Sequence, residues 1–248
     1  MSKRNKLQKF SEMYAFPHVY ENFTAKNPQL SGKDGAIVKL KGQWAAKHFQ
    51  NNHPITLELA CGKGDYTLGL AKRYPERNFI GVDIKGARIW RGAKTALEEG
   101  LDNVAFLRTR IEQLHYFFEP EEVAEIWITF PDPFLKKENR RLTAPRFLEM
   151  YHKLITKEGI LHLKTDSPDF YKFTLEVLEQ VDTFKLSYAE SDIYSKALLI
   201  RELEIKTFYE HKHLADHRKI KYVKMLRNDD YSIQNSVAEI ETIESSIK

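Results

Sequence analysis

The sequence predicts an α/β fold: a doubly wound, mostly parallel sheet of seven strands with helices on both faces. Three observations carry this expectation. Short β-branched or apolar runs alternate with segments of helical spacing, the order that builds βαβ units. Residues 55–60 lead directly into the glycine turn Cys61-Gly-Lys-Gly-Asp65 and then into a helical stretch. Residues 125–130 are nearly continuous in apolar side chains, as buried parallel strands are, and Pro131 stops them.

Taken in order, residues 1–30 carry Phe10, Tyr14, Phe16, Tyr20 and Phe23 with no strand or helix period. They read as a basic arm over 1–34, partly flexible, whose aromatics either pack on the domain or order on a nucleic acid. Residues 42–49 read as a lead-in helix. Strands are then expected at 55–60, 78–83, 104–108, 125–130, 160–164, 198–205 and 220–225. Helices are expected at 66–74, closed by Pro75, at 86–99, closed by Gly100, at 146–155, with Gly159 as exit, and at 168–181. A single α/β domain thus spans 35–228, and 229–248 reads as an acidic tail.

The chain has 248 residues and a net charge of +4, but residues 229–248 carry −4, which leaves +8 on the body. A polyanion such as nucleic acid suits that balance, as does a merely solvated basic face. No apolar run reaches the roughly 18–20 residues of a membrane span. The N-terminus leads into no apolar signal core, and the lone Cys61 forms no internal disulfide, so a reducing cytoplasm is expected.

Gly62 and Gly64 let backbone approach a ligand, and Asp83 ends the next strand, where a carboxylate binds a ribose diol. Position 67, where a dinucleotide fingerprint has its third glycine, is Thr67. Glu58, inside the strand before the turn, needs a partner and suits a cationic ligand. S-adenosylmethionine offers a diol, an ammonium and a sulfonium. Cys61 has no histidine near it in sequence, and His211, His213 and His217 sit among cations, so neither a thiol nucleophile nor a metal is expected.

Pro131 and Pro133 fix Asp132 at a strand's carboxyl end, the edge where open α/β sheets bind ligands. Lys136, Lys137, Arg140 and Arg141 follow, suited to phosphate contacts.

Together, Leu57-Glu-Leu-Ala-Cys-Gly-Lys-Gly64, Gly81-Val-Asp-Ile84, Phe130-Pro-Asp-Pro133, Arg140-Arg-Leu142, Lys164-Thr-Asp166 and Thr207-Phe-Tyr-Glu210 resemble the bacterial tRNA (guanine-N7-)-methyltransferase family, in order from about residue 35 to about 225. The resemblance implies a Rossmann-like class I S-adenosylmethionine-dependent methyltransferase acting on N7 of guanosine 46 in the tRNA variable loop. It implies cofactor contacts at Glu58 and Asp83 and a catalytic, cofactor-proximal role for Asp132. It places Lys136, Asp166, Thr207, Phe208, Tyr209 and Glu210 against the guanosine. Three features depart from the family. Phe134 stands where tryptophan is usual, the basic loop is shorter and lacks a histidine, and no acid faces adenine near Arg110, which leaves Thr109 or backbone groups for that task.

The expected partner is tRNA, engaged by a monomer or homodimer without membrane or metal. Two rivals remain open: a methyltransferase acting on another base atom or a small molecule, and a catalytically idle RNA-binding subunit. Amine methylation ordinarily uses an Asn/Asp-Pro-Pro-aromatic turn, which Phe130-Pro-Asp-Pro133 is not.

Overall fold

The computed structural model describes residues 5–231. Its strands are β1 (Val19–Glu21), β2 (Leu30–Ser31), β3 (Ile37–Val38), β4 (Ile55–Leu59), β5 (Asn78–Asp83), β6 (Val104–Arg108), β7 (Val123–Thr129), β8 (Ile155–Thr165), β9 (Phe184–Glu190) and β10 (Lys221–Arg227). Its helices are α1 (Lys6–Tyr14), α2 (Asp65–Arg73), α3 (Gly86–Glu98), α4 (Pro145–Leu154), α5 (Pro168–Gln180) and α6 (Phe208–Ala215). One sheet joins all the strands in the order β3-β2-β1-β6-β5-β4-β7-β8-β10-β9. The block β1-β6-β5-β4-β7-β8 is parallel, and β10 runs antiparallel between β8 and β9.

The central strands are apolar on both faces because helices cover both. On one face Leu57, Ile80, Ile126 and Leu161 pack with Phe147 and Leu148 of α4 and Phe170 and Val177 of α5. On the other, Phe79, Phe106 and Trp127 pack with Tyr66 and Leu70 of α2 and Ile89 and Ala93 of α3. The parallel order makes every central strand deliver its carboxyl end to one edge. Residues 58–65, 83–88, 129–134 and 165–169 therefore meet there.

Two expectations differ in the C-terminal half. Residues 198–205 form no strand; they cross the surface as a loop with one tight turn at Arg201–Glu204. Its apolar residues pack sideways, Leu203 buried and Ile205 against Gly69 of α2. The seventh strand of the core is β9, Phe184–Glu190, an exposed edge strand whose mixed composition hides it. Gly159 is no helix exit: β8 starts at Ile155, and Gly159 lies within it, where a Cβ would come 2.4 Å from Ile155.

Residues 5–38, which include most of the 1–30 stretch that shows no period in sequence, pack onto the core. Asn5 and Gln8 form a capping box for α1, whose Met13 is buried against α3. β1 pairs in parallel with β6, and β2 and β3 extend the edge. The lead-in segment, Trp44–Phe49, is a short wide helical turn that buries Trp44 completely, its indole N–H donating to the Phe117 carbonyl. Residues 232–248, most of the acidic tail, and residues 1–4 lie outside the described residues.

Candidate active site

The site begins at the end of β4. Glu58 is 3% exposed and accepts bonds from the Thr67 N–H (2.8 Å), the Thr67 hydroxyl (2.6 Å) and the Thr129 hydroxyl (3.0 Å). Thr67, where a dinucleotide site would have glycine, thus locks this carboxylate. Gly81 makes room for the arrangement: a Cβ there would stand 2.9 Å from the Thr67 hydroxyl and 2.8 Å from Phe106. Burial pushes the Glu58 carboxyl up to about 7 against these hydrogen bonds. A cation beside it would reverse that balance.

Past β4 the chain turns through Ala60, Gly62 and Gly64, all at positive φ. A Cβ on Gly62 would meet nothing within 4 Å, so the turn faces open space above its backbone. Asp83, at the end of β5, accepts from the Gly62 N–H (2.9 Å) and the Lys85 N–H (2.7 Å). Its carboxylate is thus fixed against the glycine turn, 6% exposed at the strand edge where open α/β sheets bind ligands. Glu58 and Gly62 also line a small cavity of about 70 Å³, closed on its far side by Thr207, Phe208 and Tyr209. A buried acid, an open glycine turn and a second carboxylate fixed against that turn suit a cationic nucleoside cofactor.

Thr109 lies beside Asp83, donating its N–H to the Asp83 carbonyl at 3.2 Å. Its hydroxyl, however, is buried and accepts from Asn22 (3.2 Å), which also donates to Gln113 (2.9 Å). The hydroxyl expected on adenine is engaged within the protein. Asn22 and Gln113, which sequence reasoning missed, tie residues 22–25 to this edge. Cys61 is buried and its thiol is pushed well up by burial, in keeping with an inert side chain.

Asp132 sits between two left-handed residues, Phe130 (φ 47°) and Phe134 (φ 41°). Bulky residues rarely adopt this conformation, and such strain gathers at functional sites. One Asp132 oxygen accepts the Phe134 N–H at 3.0 Å, and the residue is exposed on a cleft of about 870 Å³. The same cleft takes in Asp166, Tyr209 and His213. Asp166 is held by Arg218 at 2.8 Å, with His213 Nε2 at 3.5 Å. Phe130, Arg88 and Tyr209 line both cavities, so the two share a wall.

The cations are distributed otherwise than the sequence suggests. Lys136, Lys137 and Arg140 are exposed but do not line the cleft; Lys85, Arg88, Arg218, Lys219 and Lys221 do. Lys85 and Arg88 went unread, although they follow Asp83 at the start of α3. Arg141, expected on phosphate, is 3% exposed and turned inward. Its Nε donates to the Pro133 carbonyl (2.9 Å), Nη1 to Glu138 (3.0 Å), and its guanidinium lies 4.6 Å from the Phe173 ring centre. Glu210, expected on the guanosine, is fully buried and bonds to Lys164 (2.8 Å) and Tyr194 (2.6 Å). Thr207 caps α6 by accepting the Glu210 N–H, while Phe208 and Tyr209 remain exposed.

Fold and site together define a class I S-adenosylmethionine-dependent methyltransferase. The 16S rRNA methyltransferase KamB superposes with a TM-score of 0.58 at 13% identity, covering 84% of this chain and 99% of that one. A family described as putative methyltransferase matches residues 52–223. The tRNA (guanine-N(7)-)-methyltransferase of Christiangramia forsetii is 47% identical over 90% of this chain and 98% of its own. That of Porphyromonas gingivalis is 50% identical over 85% of each chain. The chain belongs to the tRNA (guanine-N7-)-methyltransferase family.

Proposed function

We propose that the chain transfers a methyl group from S-adenosylmethionine to N7 of guanosine 46 in the tRNA variable loop. One observation carries the reading: Asp132 opens onto a cation-lined cleft that shares a wall with the cavity of Glu58 and Gly62. Such a layout brings a base to a cofactor while holding the neighbouring phosphates.

The cofactor supplies an electrophilic sulfonium methyl. Glu58 would face its cationic end, Gly62 and Gly64 would leave it room, Asp83 would take the ribose hydroxyls, and Thr109 steadies Asp83 through its N–H. Guanine N7 already bears a lone pair on its major-groove edge, so no residue needs to remove a proton before attack. The protein's task is alignment, an effect that contributes about 7–11 kcal/mol in well-oriented systems. Positive charge grows on the ring as the bond forms, and Asp132 opposes it more strongly in the transition state than before it. Asp166 accepts from the guanine N–H edge, with Tyr209 and Phe130 as walls. Lys85, Arg88, Arg218, Lys219 and Lys221 take the phosphates at the cleft, with Lys136, Lys137 and Arg140 extending the basic surface.

The test is methylation of unmodified tRNA with labelled S-adenosylmethionine, followed by nucleoside mapping. Label at guanine N7 of position 46 is expected. Label on an exocyclic amine, or no label from a chain that binds tRNA, rejects the reading.

A further inference from the structure

Lys164 is fully buried, yet its ammonium reaches four acceptors on three separate segments. It donates to the Tyr66 hydroxyl of α2 (3.1 Å), the carbonyls of Leu203 and Ile205 (both 3.1 Å), and Glu210 of α6 (2.8 Å). Glu210 passes the tie onward: it accepts from the Tyr194 hydroxyl (2.6 Å) and from the Thr207 N–H at the cap of α6 (3.4 Å). The Lys164 carbonyl meanwhile accepts the Phe130 N–H at 2.8 Å, just ahead of the Pro131-Asp132 turn. Asp166 follows Lys164 by two residues on the same strand end. One residue therefore connects the Asp132 turn, Asp166 and the Thr207–Tyr209 wall.

A buried ion pair is an uneconomical way to stabilise a core, because desolvation offsets its Coulomb attraction. Burial here draws the Lys164 ammonium down to about 8 even with Glu210 beside it. An apolar pair of similar volume would pack as well, but it would not fix the start of α6 against β8. That start matters, since Phe208 also donates its N–H to Asp65 (2.8 Å) and stacks under Lys63 (4.2 Å) at the glycine turn.

We propose that Lys164, Glu210 and Tyr194 form a buried positioning device that sets the wall shared by the cofactor cavity and the guanosine cleft, with Glu210 acting through Thr207–Tyr209 instead of touching the base. The guanosine half of this statement rests on the function proposed above; the cofactor half does not.

Two full-chain variants decide it, Glu210→Gln and Tyr194→Phe, the second removing only a hydroxyl from a half-buried ring. Affinity for S-adenosylhomocysteine is measured by titration calorimetry well below each variant's melting temperature, and kcat and KM are measured on unmodified tRNA. The device predicts that both variants bind S-adenosylhomocysteine about tenfold more weakly, roughly 1.4 kcal/mol, with kcat falling alongside. A role confined to stability leaves the affinity of the folded protein at its parent value, and that result overturns the proposal. So does a loss of transfer in Glu210→Gln while cofactor affinity holds in both variants, which marks direct contact with the base. If Glu210→Gln does not fold, Tyr194→Phe alone decides. The calorimetry needs no tRNA, so it is read independently of which nucleoside is methylated.

Discussion

Arg141 donates its Nε to the carbonyl of Pro133 at 2.9 Å, so the turn that carries Asp132 is tied from inside the protein. The planar guanidinium holds Pro133 and Glu138 at once while stacking on Phe173. An ammonium cannot reproduce that fork. Arg141→Lys is therefore expected to lower kcat and leave the salt dependence of tRNA binding unchanged. Exposed Arg140 should behave oppositely, with Arg140→Ala reducing the slope of log K against log salt by about 0.7–0.9 while kcat at saturation holds. A reduced slope in Arg141→Lys would return that residue to the phosphate contacts.

Asp83 fixes the glycine turn with its carboxylate, so Asp83→Ala removes two charge-assisted hydrogen bonds along with the ribose contact proposed for it. Cofactor affinity should fall by about 1.5–3 kcal/mol. Titration calorimetry reads this directly, and an unaltered dissociation constant removes Asp83 from the cofactor site.

Glu58 sets a pH dependence whose sign follows from its burial. Its carboxyl is raised from 4.5 to about 7, so between those values the folded chain keeps a proton that the unfolded chain releases. This contribution to stability is complete below the unfolded pKa and is lost as pH rises toward 7. Glu58→Gln should flatten that part of the stability profile and weaken cofactor binding. Thermal melts of parent and variant between about pH 4.5 and 7.5 compare the slopes; parallel slopes would contradict the assignment.

Behind the site, Glu125 pairs with Arg77 and with His162 Nε2 (2.8 Å). Burial opposes its charge, but the two partners outweigh burial and hold the carboxyl down at about 2. Its contribution is present above the ordinary carboxylate range and is lost as pH falls toward 2. Glu125→Ala should cost about 3–5 kcal/mol by stranding its partners. A urea titration at neutral pH showing a loss below about 1 kcal/mol would argue against a working buried pair.

The central sheet and its functional edge were legible because their signals are local. Thr56 to Leu59 and Ile126 to Thr129 are apolar enough for buried strands, and glycine or proline marks where each must stop. The placement of Glu58, Asp83 and Asp132 at or just past strand ends was readable for the same reason. The arm was not legible, since β1 is three residues long and gains its order from pairing with β6. Leu198 to Ile205 misled because apolar content shows burial without showing how the backbone runs. Arg141 and Glu210 look like surface charges in sequence; only packing against Pro133 and Lys164 turns them inward. Asn22 and Gln113, 91 positions apart, gave no pairwise signal at all.

Single-turnover methyl transfer by Asp132→Ala, measured beside its tRNA affinity, is the decisive measurement on the cleft. With N7 already nucleophilic, the role proposed for Asp132 on the cleft is orientation and charge stabilisation. Near-complete loss of transfer is expected, with the fold and most of the tRNA affinity retained. Near-normal turnover by a folded, tRNA-binding Asp132→Ala protein would contradict it.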